Sequence, residues 1–401
     1  MKVLHVMNGP NWGGSYRFVS QLCERQRSFG VDAWVCYLEC GSAAQRVEAL
    51  GAPVLSYNPS RKYPNKLARW ADLEQGYERI VREFKPELIN THLSLSHVLT
   101  DRIRSRIAPH KWVALAHQSW RQFGYSHDVM KRPWLKYFMM MRHGLGDAWF
   151  TRKADRITTV SDAVRQDCIK VGMGRTRVTS ILSGIVLNDP ADMPDLRPLW
   201  GIPRTSRIIG TLGYFDPRKG FDLLLRAFMR ISDRHPDVHV IIAGGDLSGD
   251  SEYRRRLLQL RSESRCPDRI HILGEQRSGA EFMFNVDICA IPSTEEAFSL
   301  VVVEAMQFGK PGVITSGGGC REVCRHEQEG LVFQSRNIAD LARQLDRILT
   351  DRALAERLGR AARARAHTEL TLDRCAQEHI RVYEEVLGQR AVRAMQGSVS
   401  G

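Results

Sequence analysis

The stretch that most constrains the fold is ICAIPSTEEAFSLVVVEAMQFGKPGVITSGGG, ending at Gly319. A short apolar run, ICAIPS, breaks into an acidic loop. A segment that turns helical near Leu300 follows, then a second apolar run, PGVIT, and three glycines. Strand, loop, helix, strand and glycine loop predict parallel strands whose carboxyl ends carry the polar groups, which is where α/β folds bind ligands. Glu296 precedes the helix and Glu304 lies within its first turns, with seven residues between them. The loop aims the backbone N–H groups of Phe298, Ser299, Leu300 and Val301 toward an anion, helped by the helix N-terminus. Glu304 is placed to accept from ligand hydroxyls, and Glu296 to reach another part of the same ligand.

The same alternation runs through the chain. KVLHVM, VDAWVCY, PVLS, ELINTH and WVALAH read as strands, with helices between several of them; RITTVS and VTSILS continue the series. RIIGTLG, VHVIIAGGD, RIHILG, DICAIPS, PGVIT and LVF form a second series. This pattern predicts parallel α/β sheets. In the helix after Gly14, Phe18, Val19 and Leu22 face inward. In the helix after Gly220, Phe221, Leu224, Leu225, Phe228 and Ile231 share one face. Ser161 is the expected N-cap of the helix after RITTV. At 401 residues the chain needs two or three cores. DPADMPDLRPLWGIP is proline-rich and aperiodic, so the linker is placed there. The expected domains are 1–190 and 191–375, followed by a last helix at 376–388 and a flexible tail at 389–401.

Net charge is +13, which favours an anionic partner: a nucleotide, anionic lipid or nucleic acid. The nine cysteines show no C-x-x-C pair, and no histidine spacing completes a zinc site, so reduced buried thiols are expected. MKVLHVM is too short for a signal h-region, and no window approaches the roughly 20 apolar residues of a membrane span. The expected location is the cytoplasm. If residues 129–153 form a basic amphipathic helix, with Trp134, Tyr137, Phe138 and Met141 on one face and Arg132, Lys136 and His143 on the other, the chain sits at the inner face of the plasma membrane. A helix packed on the core fits the same pattern.

The paired glutamates, with EAFSL between them and EAM and PGVIT after, resemble the Glu-x7-Glu motif of retaining glycosyltransferases of family 4. The resemblance covers nearly the whole chain and is most specific over 207–333. It implies the GT-B fold: two Rossmann-like, doubly wound α/β domains facing a cleft, the first for the acceptor and the second for a nucleotide-sugar donor. It implies that Glu304 holds the ribose, that Glu296 contacts the donor sugar, and that the amides between them hold diphosphate or sugar. Gly13 and Gly14 match the family's cleft glycines, although a plain tight turn fits them equally. His117 matches the histidine near the donor sugar; His92 matches less specifically and also suits a structural role. Gly213, Lys219 and Gly220 match Gly-Arg-Leu-x3-Lys-Gly, whose Arg and Lys clamp the diphosphate. Tyr214 stands where the arginine belongs and carries no charge at neutral pH. The expected substitute is Arg218, beside Lys219. Gly244 and Gly245 match the family's second glycine turn. Ser183, Gly184, Ile185 and Val186 keep only the glycine of Asn-Gly-Ile-Asp.

The resemblance thus implies a retaining, metal-independent glycosyl transfer with no cofactor beyond the donor, in the making of cell-surface polysaccharide or lipopolysaccharide. Glu296, His117 and Lys219 would be catalytic. The partners are a nucleotide sugar and a glycan or lipid-linked acceptor, not nucleic acid. Two rivals remain: a sugar-nucleotide 2-epimerase of the same fold, which would convert the donor without any acceptor, and a non-catalytic basic binding module, whose nucleic-acid binding would fall steeply with salt.

Overall fold

The computed structural model describes residues 1–8, 14–39, 51–57, 65–108, 110–118, 149, 151–246 and 252–388. The chain divides into two compact units. One takes in the described residues up to Ser183 together with the chain from Leu372; the other runs from Gly184 to Thr371.

The first unit is built on β1 (Lys2–Asn8), β2 (Asp32–Leu38), β3 (Val54–Tyr57), β4 (Leu88–His92), β5 (Lys111–Ala116), β6 (Arg156–Thr159) and β7 (Val178–Ser180). Their order in the sheet is β3-β2-β1-β4-β5-β6-β7, and every pairing is parallel. β1 and β4 are neighbours although β2 and β3 lie between them in sequence, so the chain winds outward from that point in both directions. Most residues of β1, β2, β4 and β5 are buried, as a sheet covered on both faces requires. The helix Gly14–Ser28 buries Phe18, Val19 and Leu22, the face expected of it. It packs on the last helix, Leu372–Leu387, and Arg25 pairs with Asp373 across that contact. Ser161 caps the helix Asp162–Lys170 by accepting from the amide of Val164.

The second unit carries β8 (Arg207–Leu212), β9 (Val238–Ala243), β10 (Ile270–Leu273), β11 (Ile288–Ile291), β12 (Gly312–Thr315) and β13 (Gly330–Phe333). The order is β10-β9-β8-β11-β12-β13, again all parallel. Here the winding reverses between β8 and β11. The helix Phe221–Met229 and Ile231 bury all five residues of the expected apolar face. The fold expected from the sequence, two doubly wound Rossmann-like α/β sheets, is therefore the one found.

Two details differ from the sequence reading. The proline-rich stretch is not a free tether. It holds short 3-10 turns at Pro190–Asp192 and Pro198–Trp200 and is pinned to the second unit. Arg197 reaches Asp287 at 2.8 Å and the Ser206 carbonyl at 2.9 Å, while Asn285 accepts from the Leu196 amide at 2.9 Å and donates to the Pro194 carbonyl at 2.8 Å. Composition reads such a stretch as a linker because proline prevents regular pairing, not because it prevents attachment. The units also divide at Ser183/Gly184 and Thr371/Leu372 rather than at 190/191 and 375/376.

Trp134, Tyr137, Phe138 and Met141, with Arg132, Lys136 and His143, lie outside the described residues, as does Gly13. Among the described residues, no helix is long and apolar enough to cross a membrane. The eight cysteines described are all buried and unbridged.

Candidate functional site

In the second unit the reversal point between β8 and β11 places two loops side by side, and open α/β sheets bind ligands at such points. The loop after β8 begins at Gly213. Its backbone crosses the turn after β9 so closely that a Cβ on Gly244 would collide with the Gly213 carbonyl, standing 2.7 Å from its carbon. Only glycine permits that approach. Tyr214 follows, and its carbonyl accepts from the Asp216 amide at 2.8 Å.

Asp216 organises the rest of this loop. Its carboxylate accepts from the Arg218 amide at 2.8 Å and takes the Arg218 guanidinium in a fork, with Nε at 3.0 Å and Nη2 at 2.8 Å. Burial works to raise this carboxyl, but the Arg218 hydrogen bonds and charge override it and hold it below the ordinary range. The cation expected to stand in for the missing arginine is therefore already committed to a carboxylate in the same turn.

Lys219 points elsewhere. Its Nζ lies 2.8 Å from Oε2 of Glu296, and the Ser293 hydroxyl donates to the same oxygen at 3.1 Å. The two loops are tied by their backbones as well: the Thr294 amide donates to the Arg218 carbonyl at 2.8 Å. Gly220 ends the turn at φ +64, and a Cβ there would lie 2.9 Å from the Pro292 carbonyl carbon. Glu296 is further held by the glycine loop after β12, for its amide donates to the Gly317 carbonyl and its carbonyl accepts from the Gly319 amide at 2.8 Å.

Phe298 is buried, and Ser299 adopts φ 111, ψ 90 just before the helix Leu300–Met306. Left-handed backbone at a non-glycine residue costs on the order of 1–3 kcal/mol and survives only where surroundings enforce it. The turn starts a helix whose first amides, including those of Leu300 and Val301, have no acceptor within the helix. Glu304 sits one turn on and is only 3% exposed. Its carboxylate covers Gly279, the first residue of the helix Gly279–Phe284; a Cβ on Gly279 would stand 2.8 Å from Cδ and 2.9 Å from Oε1.

The first unit holds the other expected residues. Gly14 is the first residue of the helix Gly14–Ser28. His117 follows β5, half-buried, with its ring edge-on to Phe18 at 6.0 Å. Its Nε2 is 3.0 Å from Nδ1 of His92, and burial pushes its pKa down to about 4. His97, given no role by the sequence, bonds Thr91 through Nδ1 at 2.6 Å.

The structure thus brings together Lys219 with Glu296, Gly213 with Gly244, and Arg218 with Asp216. Asp216, Ser293 and Gly279 were not read from the sequence. The Asp-Pro dipeptide was a usable sign for Asp216, since it marks a turn that an aspartate side chain closes. Gly279 had no sign, because its neighbour Glu304 is set only by packing. Among the described residues, no group of three or more His, Cys, Asp or Glu is arranged to hold a metal ion.

Residues 192–365 match the family described as Glycosyl transferases group 1, and residues 12–189 match Glycosyltransferase Family 4. The putative glycosyltransferase YtcC of Bacillus subtilis is 31% identical over 248 residues, covering 58% of this chain and 60% of that protein. The D-inositol 3-phosphate glycosyltransferase of Mycolicibacterium smegmatis is 29% identical over 212 residues, 51% of this chain and 48% of its own. The matches therefore span only about half to three-fifths of these relatives' length. The crystal structure of Anabaena Alr3699/HepE in complex with UDP and glucose superposes with a TM-score of 0.82 at 22% identity, covering 96% of this chain and all of that one.

Proposed function

We propose that the chain is a glycosyltransferase, on the matches of residues 12–189 to Glycosyltransferase Family 4 and of residues 192–365 to Glycosyl transferases group 1, and that it transfers a sugar, with retention, from a nucleotide-diphosphate sugar to an acceptor hydroxyl during cell-surface glycan synthesis. The observation that carries this reading is the Lys219–Glu296 pair at the reversal point of the second sheet. Each charge of the pair compensates the other. A diphosphate draws Lys219 toward its oxygens, and Glu296 is then free to accept from a hydroxyl of the donor sugar. As the glycosidic bond breaks, negative charge gathers on the departing diphosphate. Lys219 and the amides of Ser299 and Leu300 stabilise that charge where it develops, which is the interaction that lowers a barrier.

Arg218 contributes less than its position suggests, because Asp216 already neutralises it. Tyr214 supplies a hydroxyl where the family carries a cation. The acceptor attacks from the face the diphosphate leaves, and the departing phosphate takes its proton; this accounts for retention without a carboxylate nucleophile. Charge compensation by Lys219 and backbone dipoles requires no metal, so activity should persist in excess chelator. The acceptor is a glycan or a lipid-linked saccharide.

A thermal-shift panel of nucleotide sugars tests the reading. UDP-sugars come first, because the HepE complex holds UDP and glucose. Ligand at about 100 times its dissociation constant adds roughly 2.7 kcal/mol of stability. Product analysis by NMR then reads the anomeric configuration. No stabilisation by any nucleotide sugar, or an inverted product, refutes it.

A further inference from the structure

Three histidines of the first unit, two buried and His117 half-buried, form a continuous chain of hydrogen bonds. Nδ1 of His5 is 3.0 Å from Nε2 of His92, and Nδ1 of His92 is 3.0 Å from Nε2 of His117. They come from β1, β4 and the end of β5, which are adjacent in the sheet, and their rings lie 5.2 Å apart at each step. At the far end, Nε2 of His5 meets the amide oxygen of Gln26 at 2.8 Å. The other side of that amide faces Tyr383: Nε2 of Gln26 is 3.4 Å from the phenol oxygen, to which Asn90 also donates. Burial keeps the imidazoles uncharged, with His5 and His117 pushed down to about 4 and His92 well below its ordinary value.

A neutral imidazole has one N–H and one bare nitrogen. Chained nitrogen to nitrogen, the rings must all point their protons the same way, and one end decides which. The Gln26 oxygen only accepts, so His5 carries its proton on Nε2 and leaves Nδ1 bare. His92 must then donate from Nε2, and His117 likewise. Nδ1 of His117 is left bare, and among the described residues no hydrogen bond reaches it. A bare nitrogen accepts from a hydroxyl and repels a phosphate oxygen, so the direction of the chain decides what His117 can recognise.

We propose that Gln26, acting through His5 and His92, sets the tautomer of His117 and makes its Nδ1 a fixed hydrogen-bond acceptor for a hydroxyl of the bound sugar. Gln26, His5 and His92 are positioning residues, and His117 is the group that meets ligand. The identity of the ligand rests on the function proposed above; the tautomer does not.

Long-range proton–nitrogen NMR on the full chain labelled with 15N-histidine reads the tautomer without any substrate. The His117 signals are assigned from their loss in His117→Gln. The wild-type protein should show His117 wholly in the Nε2–H form. A protonated Nδ1, or an averaged pattern, overturns the proposal with no variant needed. Gln26→Leu removes the terminal acceptor, so a folded variant should show His117 averaged between the two tautomers. If it stays wholly Nε2–H, the chain does not set it. With the nucleotide sugar found by thermal shift, the Nδ1 resonance should move on binding the sugar nucleotide and not on binding the nucleoside diphosphate alone. Movement with both, or with neither, removes the hydroxyl assignment. Failure of every nucleotide sugar to bind would instead strike the proposed function and leave the tautomer result standing.

Discussion

Adding a single methyl at Gly279 tests how Glu304 is held. A Cβ there would lie 2.8 and 2.9 Å from Cδ and Oε1 of Glu304, against an ordinary contact of 3.4–4 Å. The carboxylate must retreat by more than half an ångström. It is 3% exposed and stands on a helix whose Val302, Val303, Ala305 and Met306 are all buried, so little room exists behind it. Overpacking of this kind costs about 1–3 kcal/mol. For a unit of this size that lowers its melting temperature by about 3–9 °C, which scanning calorimetry resolves. The clash is specific to the carboxylate, so Gly279→Ala made in a Glu304→Ala background should be nearly silent. The double-mutant cycle should return a coupling of about 1–3 kcal/mol. The resemblance implies that Glu304 holds the ribose, and on that reading stabilisation by nucleoside diphosphate should also fall in Gly279→Ala. A neutral Gly279→Ala, or strict additivity in the cycle, would show that the two groups do not touch and that Glu304 is not aimed by Gly279.

Lys219→Ala should lower turnover by about 10²–10³-fold, the usual effect of losing one group that stabilises developing charge, whereas Arg218→Ala should cost distinctly less; steady-state kinetics showing the reverse order would reassign the diphosphate contact. Tyr214→Arg should preserve or raise donor affinity by titration calorimetry, and a folded variant that no longer binds donor would mean the diphosphate lies elsewhere. Acid should destabilise the first unit through its buried histidines. His5 and His117 have folded values of about 4 against an ordinary 6.5, and His379 about 3. The unfolded chain takes up protons below 6.5 that the folded one refuses, so stability is full above that value and is lost as pH falls. One such histidine contributes a loss of about 2 kcal/mol between about pH 7.5 and about pH 5. His379→Gln should flatten that slope in melting curves, and an unchanged slope would show that the ring is not held neutral.

Much of the fold was legible in the sequence because its signals are local. Apolar runs such as VHVIIA and ICAI, short and bounded by turn residues, read as strands covered on both faces, and helices between them favour parallel pairing. The inward faces of the helices at Phe18 and Phe221 followed from their spacing. The places of Glu296, Glu304, Lys219 and the glycines were legible in the same way, since strand–loop–helix junctions fix them. What those groups touch was not legible. Arg218 reads as a free cation until Asp216 is seen to close on it, and Gly279 reads as an ordinary loop residue until Glu304 is seen above it. The proline-rich stretch reads as a tether until Arg197 and Asn285 are seen to pin it.

The histidines show the division most plainly. Sequence alone put His92 and His117 at the carboxyl ends of strands, because strand ends are set by a few neighbouring residues. It said nothing of His5 or Gln26 as their partners, since these lie 87 and 21 residues from the groups they bond. The order of strands in the sheet sets β1 beside β4, and β4 beside β5, and that order depends on which helices cover which face. Residue type and local spacing therefore determined the elements and the groups at their ends. Only the tertiary structure decided which groups meet, because hydrogen bonds and ion pairs act over about 3 Å, and the distances that matter are those left after the whole core has packed.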